Sequence, residues 1–166
     1  VFLGIGTTPQ QVALALLDHP GLTVVTNNIN VALTLSNSPN IQTYLAGGLV
    51  RPGDEDTMGP ETTAFFNKFN IQYGVFGVGG LNAKGQLLDF SPEESSVTQR
   101  IIENSETRIL VADHSKINRY APVVTGTLSD IDILIMDSLS EPYKQTCKEF
   151  ESEIIEVGST SEFLSC

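Results

Sequence analysis

Seven short apolar, β-branched runs recur along the chain, each bounded by Gly, Asn, Asp or small polar residues. They cover 1–5, 22–26, 41–46, 73–78, 108–112, 131–136 and 153–157. Apolar and polar positions barely alternate within them, as expected of strands covered on both faces. Between them the period changes. Residues 9–17 read as a helix, with Thr8 as its cap and Pro9 at its first position. Residues 28–36 repeat Ile29, Ala32, Leu33 and Leu35, and residues 59–69 offer Ala64, Phe65 and Phe69. The clearest start signal is Ser91-Pro92-Glu93-Glu94, a cap, a proline and two acids where the helix dipole favours them. That helix continues to about residue 105, and a last one covers 141–150. Gly126 to Ser129 reads as a connection. Strands alternating with helices predict an α/β fold, a mainly parallel sheet with helices on both faces.

A chain of 166 residues fits one domain with a sizeable core. Nine Lys plus Arg stand against twenty Asp plus Glu, a net charge of −11. Phosphate-backbone binding needs a basic face, so this chain is not expected to hold nucleic acid by itself. The acidity also repels anionic membrane surfaces, and no apolar run approaches the roughly 20 residues of a bilayer span. Cys147 and Cys166 lie far apart in sequence, without metal or redox spacing, which suits a reducing cytoplasm. No signal peptide is visible. Val1-Phe2-Leu3 reads as mid-strand, so material is expected upstream.

Candidate chemistry gathers at the strand ends, where open parallel sheets place their ligands. Gly6-Thr7-Thr8 can offer close backbone approach, hydroxyls and the free N–H groups of a helix start to a phosphate; an ordinary cap is the bland alternative. Thr26-Asn27-Asn28 follows the second strand and presents donors and acceptors suited to hydroxyls, or else a cap and turn. Gly47-Gly48 and Gly79-Gly80 mark close approach of a ligand or tight turns. Asp89 and Glu93 are candidate carboxylates, although Glu93 and Glu94 also suit the helix dipole. Val111-Ala112-Asp113-His114-Ser115-Lys116 runs from an apolar strand into an acid and then a lysine, in a chain poor in cations. Asp113 and Lys116 are candidate ligand contacts or a surface ion pair. His19 and His114 have no ligand-like partners in sequence, so no metal site is expected. Neither a dinucleotide fingerprint nor a nucleophile elbow is present.

Gly6-Thr7-Thr8, the stretch from Val25 to Ala32, Leu45-Ala46-Gly47-Gly48, Gly77-Val78-Gly79-Gly80 and Val111 to Lys116 occur in one order and spacing. That ordered set resembles the effector-sensing domain of DeoR-type bacterial transcriptional regulators, from Val1 to about Val157. The resemblance implies a fold like that of ribose-5-phosphate isomerase, glucosamine-6-phosphate isomerase and the CoA-transferases. It implies a single sensor domain over 1–166, with a winged helix-turn-helix upstream that alone meets operator DNA. It further implies a phosphorylated sugar or polyol as effector, with glycerol 3-phosphate the leading candidate, a homo-oligomer, no catalytic residue and no cofactor. Phosphate would sit on Gly6, Thr7, Thr8 and Lys116, and hydroxyls on Thr26, Asn27, Asn28, Asp89, Glu93 and Asp113. The turns at Gly47, Gly48, Gly79 and Gly80 would wall the site. Family members often carry an Asp two positions before Gly-Thr-Thr, where this chain has Gly4. The alternative is an active aldose–ketose isomerase of the same fold, with Asp89 or Glu93 as base.

Overall fold

A computed structural model describes residues 1–158. Its first half runs β1 (Phe2–Leu3), α1 (Thr7–Ala15), β2 (Leu22–Thr26), α2 (Ile29–Leu35) and β3 (Ile41–Leu45). A small hairpin, β4 (Leu49–Val50) and β5 (Thr57–Met58), leads to α3 (Pro60–Phe66) and β6 (Ile71–Phe76). Then come β7 (Gly80–Leu81), β8 (Gln86–Asp89), α4 (Pro92–Glu103) and β9 (Ser105–Ala112). The chain closes with β10 (Val123–Thr127), β11 (Ile133–Met136), α5 (Glu141–Glu149) and β12 (Glu153–Glu156). Single 3-10 turns cover His114–Lys116 and Leu128–Asp130.

The main sheet has seven strands in the order β12-β11-β9-β6-β1-β2-β3, and all its pairings are parallel. Neighbouring side chains of β1 go to opposite faces, as strand geometry requires. Phe2 joins a core with Phe66, Val97, Ile101 and Tyr143 from α3, α4 and α5. Leu3 joins one with Ala13, Val31 and Leu35 from α1 and α2. Helices therefore cover both faces, the α/β architecture expected of the alternating pattern.

Several boundaries differ from expectation. The first helix begins at Thr7, and its cap is Gly6 rather than Thr8. Gly6 has φ 100°, a conformation that favours glycine, so the turn lies two residues earlier and Pro9 falls inside the helix. Gly126 and Thr127 are not a connection. They belong to β10, where a bulge lies between Val124 and Gly126. The sequence pattern also missed a three-stranded antiparallel sheet, β10-β8-β7, and the β4–β5 hairpin. β4, β5 and β7 have two residues each, too few to show a period.

Cys147 is buried on α5, and burial pushes its thiol up to about 11, which leaves it protonated and inert at neutral pH. Cys166 lies outside the described residues. No described helix is long and apolar enough to cross a membrane.

Candidate functional site

From β1 the chain steps through α1 to β2 and β3 on one side, and later returns to build β6, β9, β11 and β12 on the other. The strand order therefore reverses between β1 and β6. Loops leaving two parallel strands at such a point diverge and leave a crevice beyond their carboxyl ends. A cavity of about 270 Å³ lies there. Its floor is Ile5, Gly6, Gly77, Val78 and Val111, from the ends of β1, β6 and β9. Its walls bring in Thr7, Thr8, Lys116, Arg119, Asp89 and Phe90, together with Arg51, Asp54, Asp56 and Glu94.

One end of the cavity suits an anion. The first turn of α1 contains no acidic residue, and no side chain caps it. Its free N–H groups and the Thr7 and Thr8 side chains border the cavity. The 3-10 turn after β9 supplies Lys116. Asp113 caps that turn by accepting the Ser115 N–H at 2.9 Å. Hydrogen bonding to Ser115 holds the Asp113 carboxyl below its ordinary value, with Lys116 adding to the effect. Among the described residues neither Lys116 nor Arg119 forms an ion pair with a carboxylate.

Part of the lining is acidic and internally hydrogen-bonded. Arg51 donates from Nε to Asp56 Oδ1 at 2.7 Å and from Nη2 to Asp56 Oδ2 at 2.5 Å. Its Nη1 donates to Glu94 Oε1 and lies 3.5 Å from Asp54. Glu94 also accepts the Phe90 N–H at 3.0 Å, which ties the β4–β5 hairpin to the start of α4. Asp89 is 3% exposed. Its two oxygens accept from the Gly79 N–H at 3.1 Å and the Thr125 hydroxyl at 2.6 Å. Burial raises its carboxyl above the ordinary value of 3.8, Glu94 adds to the rise, and the hydrogen bonds oppose it.

A folded-state pKa above the unfolded one means that the native protein holds the proton more tightly. The resulting stability is complete below 3.8 and is lost as pH rises through the raised value. Asp89→Asn cannot ionise. Its stability relative to wild type is therefore expected to improve from about pH 4 to about pH 7 in urea unfolding, by the linkage of protonation to folding. A flat or declining difference would mean that the buried carboxylate ionises without penalty.

Residues 1–138 match the family model of the DeoR C-terminal sensor domain. The chain belongs to the DeoR family of sensor domains. It is 42% identical over 138 residues to the glycerol-3-phosphate regulon repressor of Escherichia coli, covering 83% of this chain and 55% of that protein. It is 39% identical over 155 residues to the Haemophilus influenzae repressor of the same name, covering 93% of this chain and 60% of that one. The DeoR-family domain described here thus spans little more than half of these curated relatives. Among solved structures, eIF2B beta from Chaetomium thermophilum superposes with a TM-score of 0.52 at 13% identity. That match covers 80% of this chain and 42% of the other and shows the fold alone.

Within this DeoR-family domain, six of the residues singled out from sequence line the cavity: Gly6, Thr7, Thr8, Gly79, Asp89 and Lys116. The remainder lie outside it, for identifiable reasons. The β4–β5 hairpin folds over the tip of β2, so Asn27 is fully buried and its side-chain amide donates to the Thr57 carbonyl at 2.8 Å. Asn28 caps α2 by accepting from Asn30 and Val31, and it steadies the site from behind by donating to the Gly6 carbonyl at 3.3 Å. Thr26 accepts the Asn28 N–H. Gly47 accepts from Thr62, and Gly48 packs against Thr62 and Met58. Gly80 backs onto the Arg119 carbonyl. Glu93 is exposed on the outer side of α4. Asp113 is occupied as a turn cap. Gly4 is also outside: a Cβ there would lie 3.1 Å from Phe76 Cβ and 3.4 Å from Ile101 Cδ1, within the apolar core.

Arg51 and Arg119 border the cavity and were not singled out, and Glu94, read from sequence mainly as a helix-dipole acid, borders it too. Glu94 carried a usable signal, a glutamate three positions after a capping serine. Arg51 and Arg119 carried none beyond their charge. Among the described residues no group of three or more His, Cys, Asp or Glu is placed to hold a metal ion.

Proposed function

We propose that this domain is the effector sensor of a transcriptional repressor. It would bind a small phosphomonoester of a sugar or polyol, with glycerol 3-phosphate the leading candidate. The observation that carries this reading is the pairing of an uncapped helix start with Lys116, which forms no ion pair with a carboxylate among the described residues. Backbone N–H groups at a helix terminus recognise a dianion without a basic patch, which suits so acidic a chain. The phosphate would rest on Gly6, Thr7, Thr8 and Lys116, with hydroxyls toward Gly79 and Asp89. The name shared by the two bacterial relatives supports the choice of glycerol 3-phosphate.

In this reading a winged helix-turn-helix precedes the domain and holds the operator, and the assembly is a cytoplasmic homo-oligomer without enzymatic activity. Effector binding selects one arrangement of the linked domains, by no more than its own preference between them. A coupling of about 1–3 kcal/mol would change operator affinity roughly 5- to 150-fold.

Thermal melting tests the reading. Glycerol 3-phosphate at ten times its dissociation constant should stabilise the chain by about 1.4 kcal/mol, and glycerol at the same concentration should not. Unchanged melting with every sugar and polyol phosphate tried would remove the reading. Asp89, a buried carboxylate in the cavity, favours the isomerase alternative, but both its oxygens are already engaged. Turnover of ribose 5-phosphate or glucosamine 6-phosphate by the purified chain would replace the sensor with that enzyme.

A further inference from the structure

We infer that Arg119 is the second cation of the site, a specificity-determining arm that closes over the phosphoryl group and selects phosphomonoesters over free polyols. The inference rests on the phosphomonoester reading above and adds a residue that reading does not use.

Among the described residues three of the four arginines, Arg51, Arg100 and Arg108, are paired with carboxylates, and Arg119 is the exception. With twenty acidic side chains in the chain, a loose surface arginine would readily find one. Arg119 instead stacks on an aromatic ring, its guanidinium carbon 5.0 Å from the Phe90 centroid, at the rim of the cavity that Thr7 and Lys116 also line. A guanidinium over an aromatic face keeps its N–H donors at the edge, available to a planar or tetrahedral oxyanion.

The backbone is built to put it there. Asn118 takes up φ 58°, a left-handed conformation uncommon outside glycine, and donates its N–H to the Leu81 carbonyl at 2.6 Å. Ile117 bridges to Leu81 in the same stretch. A Cβ on Gly80 would overlap the Arg119 carbonyl oxygen, and one on Gly79 would lie 2.9 Å from the Phe90 ring. The two adjacent glycines thus let the arginine and its aromatic platform approach the sheet tip together. Charge supplies the need. Three cations and four carboxylates line the cavity, and Arg51 is held by acids, so Lys116 alone would face a dianion beside the remaining negative charge.

Titration calorimetry of the full chain and Arg119→Ala, with glycerol 3-phosphate and with glycerol, decides the matter. The variant should bind glycerol 3-phosphate roughly 5-fold more weakly at low salt, as expected for an exposed charge-assisted contact. The deficit should shrink as salt is raised, the weak interaction with glycerol should not change, and Arg119→Lys should recover part of the loss. Tight binding of glycerol 3-phosphate by wild type with equal binding by the variant would overturn the arm while leaving the cavity reading intact. Equal weakening for glycerol 3-phosphate and glycerol would likewise overturn it. Failure of wild type to bind any phosphomonoester would remove both.

Discussion

Replacing Arg51 by alanine is expected to lower the unfolding free energy by about 3 kcal/mol at neutral pH, the low end for breaking a buried ion pair. The loss comes mainly from what is left behind. The Asp56 side chain is 2% exposed and that of Glu94 11% exposed. Both would keep their charge without the guanidinium that neutralises it. Asp54, 60% exposed, should contribute little, because water screens it. Hydrogen bonding to Asp56 first, and to Glu94 next, holds the Arg51 pKa above its ordinary value, so the guanidinium stays charged at every accessible pH. Arg51→Lys should recover only part of the loss, since an ammonium cannot make the forked contact to Asp56. Urea unfolding at about pH 7 measures this. A loss below about 0.5 kcal/mol at neutral pH would show that the cluster contributes no more than a surface pair.

That cluster also marks where sequence reasoning stopped. The parallel core was legible because each central strand contains a short apolar run, and both the end of β9 and its Lys116 tip follow from one such run, Ile109 to Ala112. Gly6 was legible as a ligand-approach position for a local reason, the glycine between strand and helix. Arg51 and Glu94 are 43 residues apart in sequence, and neither local stretch carries a pattern that names the other. Their meeting depends on the β4–β5 hairpin, two strands of two residues each. The same hairpin explains why Asn27 was misplaced. As the end of a strand in an isolated βαβ unit it would face the crevice, but Thr57 pairs with it and covers it. The antiparallel sheet hid for a similar reason, although Asn82-Ala83-Lys84-Gly85 carried a turn signal. Asn82 accepts from the Lys84 and Gln86 N–H groups, and Gly85 has φ 72°. Local chemistry in the sequence thus located Gly6, Thr7, Thr8 and Lys116 in the cavity, whereas its lining by Arg51, Asp56 and Glu94 arises from tertiary contacts.

Lys116→Ala is expected to weaken glycerol 3-phosphate binding about 10- to 100-fold, the equivalent of a lost charge-assisted hydrogen bond of roughly 1.5–3 kcal/mol. Stability should stay within about 0.5 kcal/mol of wild type, because among the described residues Lys116 has no carboxylate ion-pair partner to leave unpaired. The effect should exceed that of Arg119→Ala. Lys116 is half-buried on a capped turn at the tip of a central strand, whereas Arg119 is exposed at the rim. Partial burial keeps its attraction to a dianion from being screened by salt, and the capped turn fixes its position before the ligand arrives. Without it, the phosphoryl group would enter a cavity where four carboxylates face Arg51, itself held by acids, and one exposed guanidinium. Glycerol carries no charge for the lysine to neutralise, so its interaction with the variant should match that with wild type. Calorimetry and melting with both ligands separate these outcomes. Equal losses for the phosphorylated and free polyols would make Lys116 a structural residue, and the anion end of the cavity would then lack its principal cation.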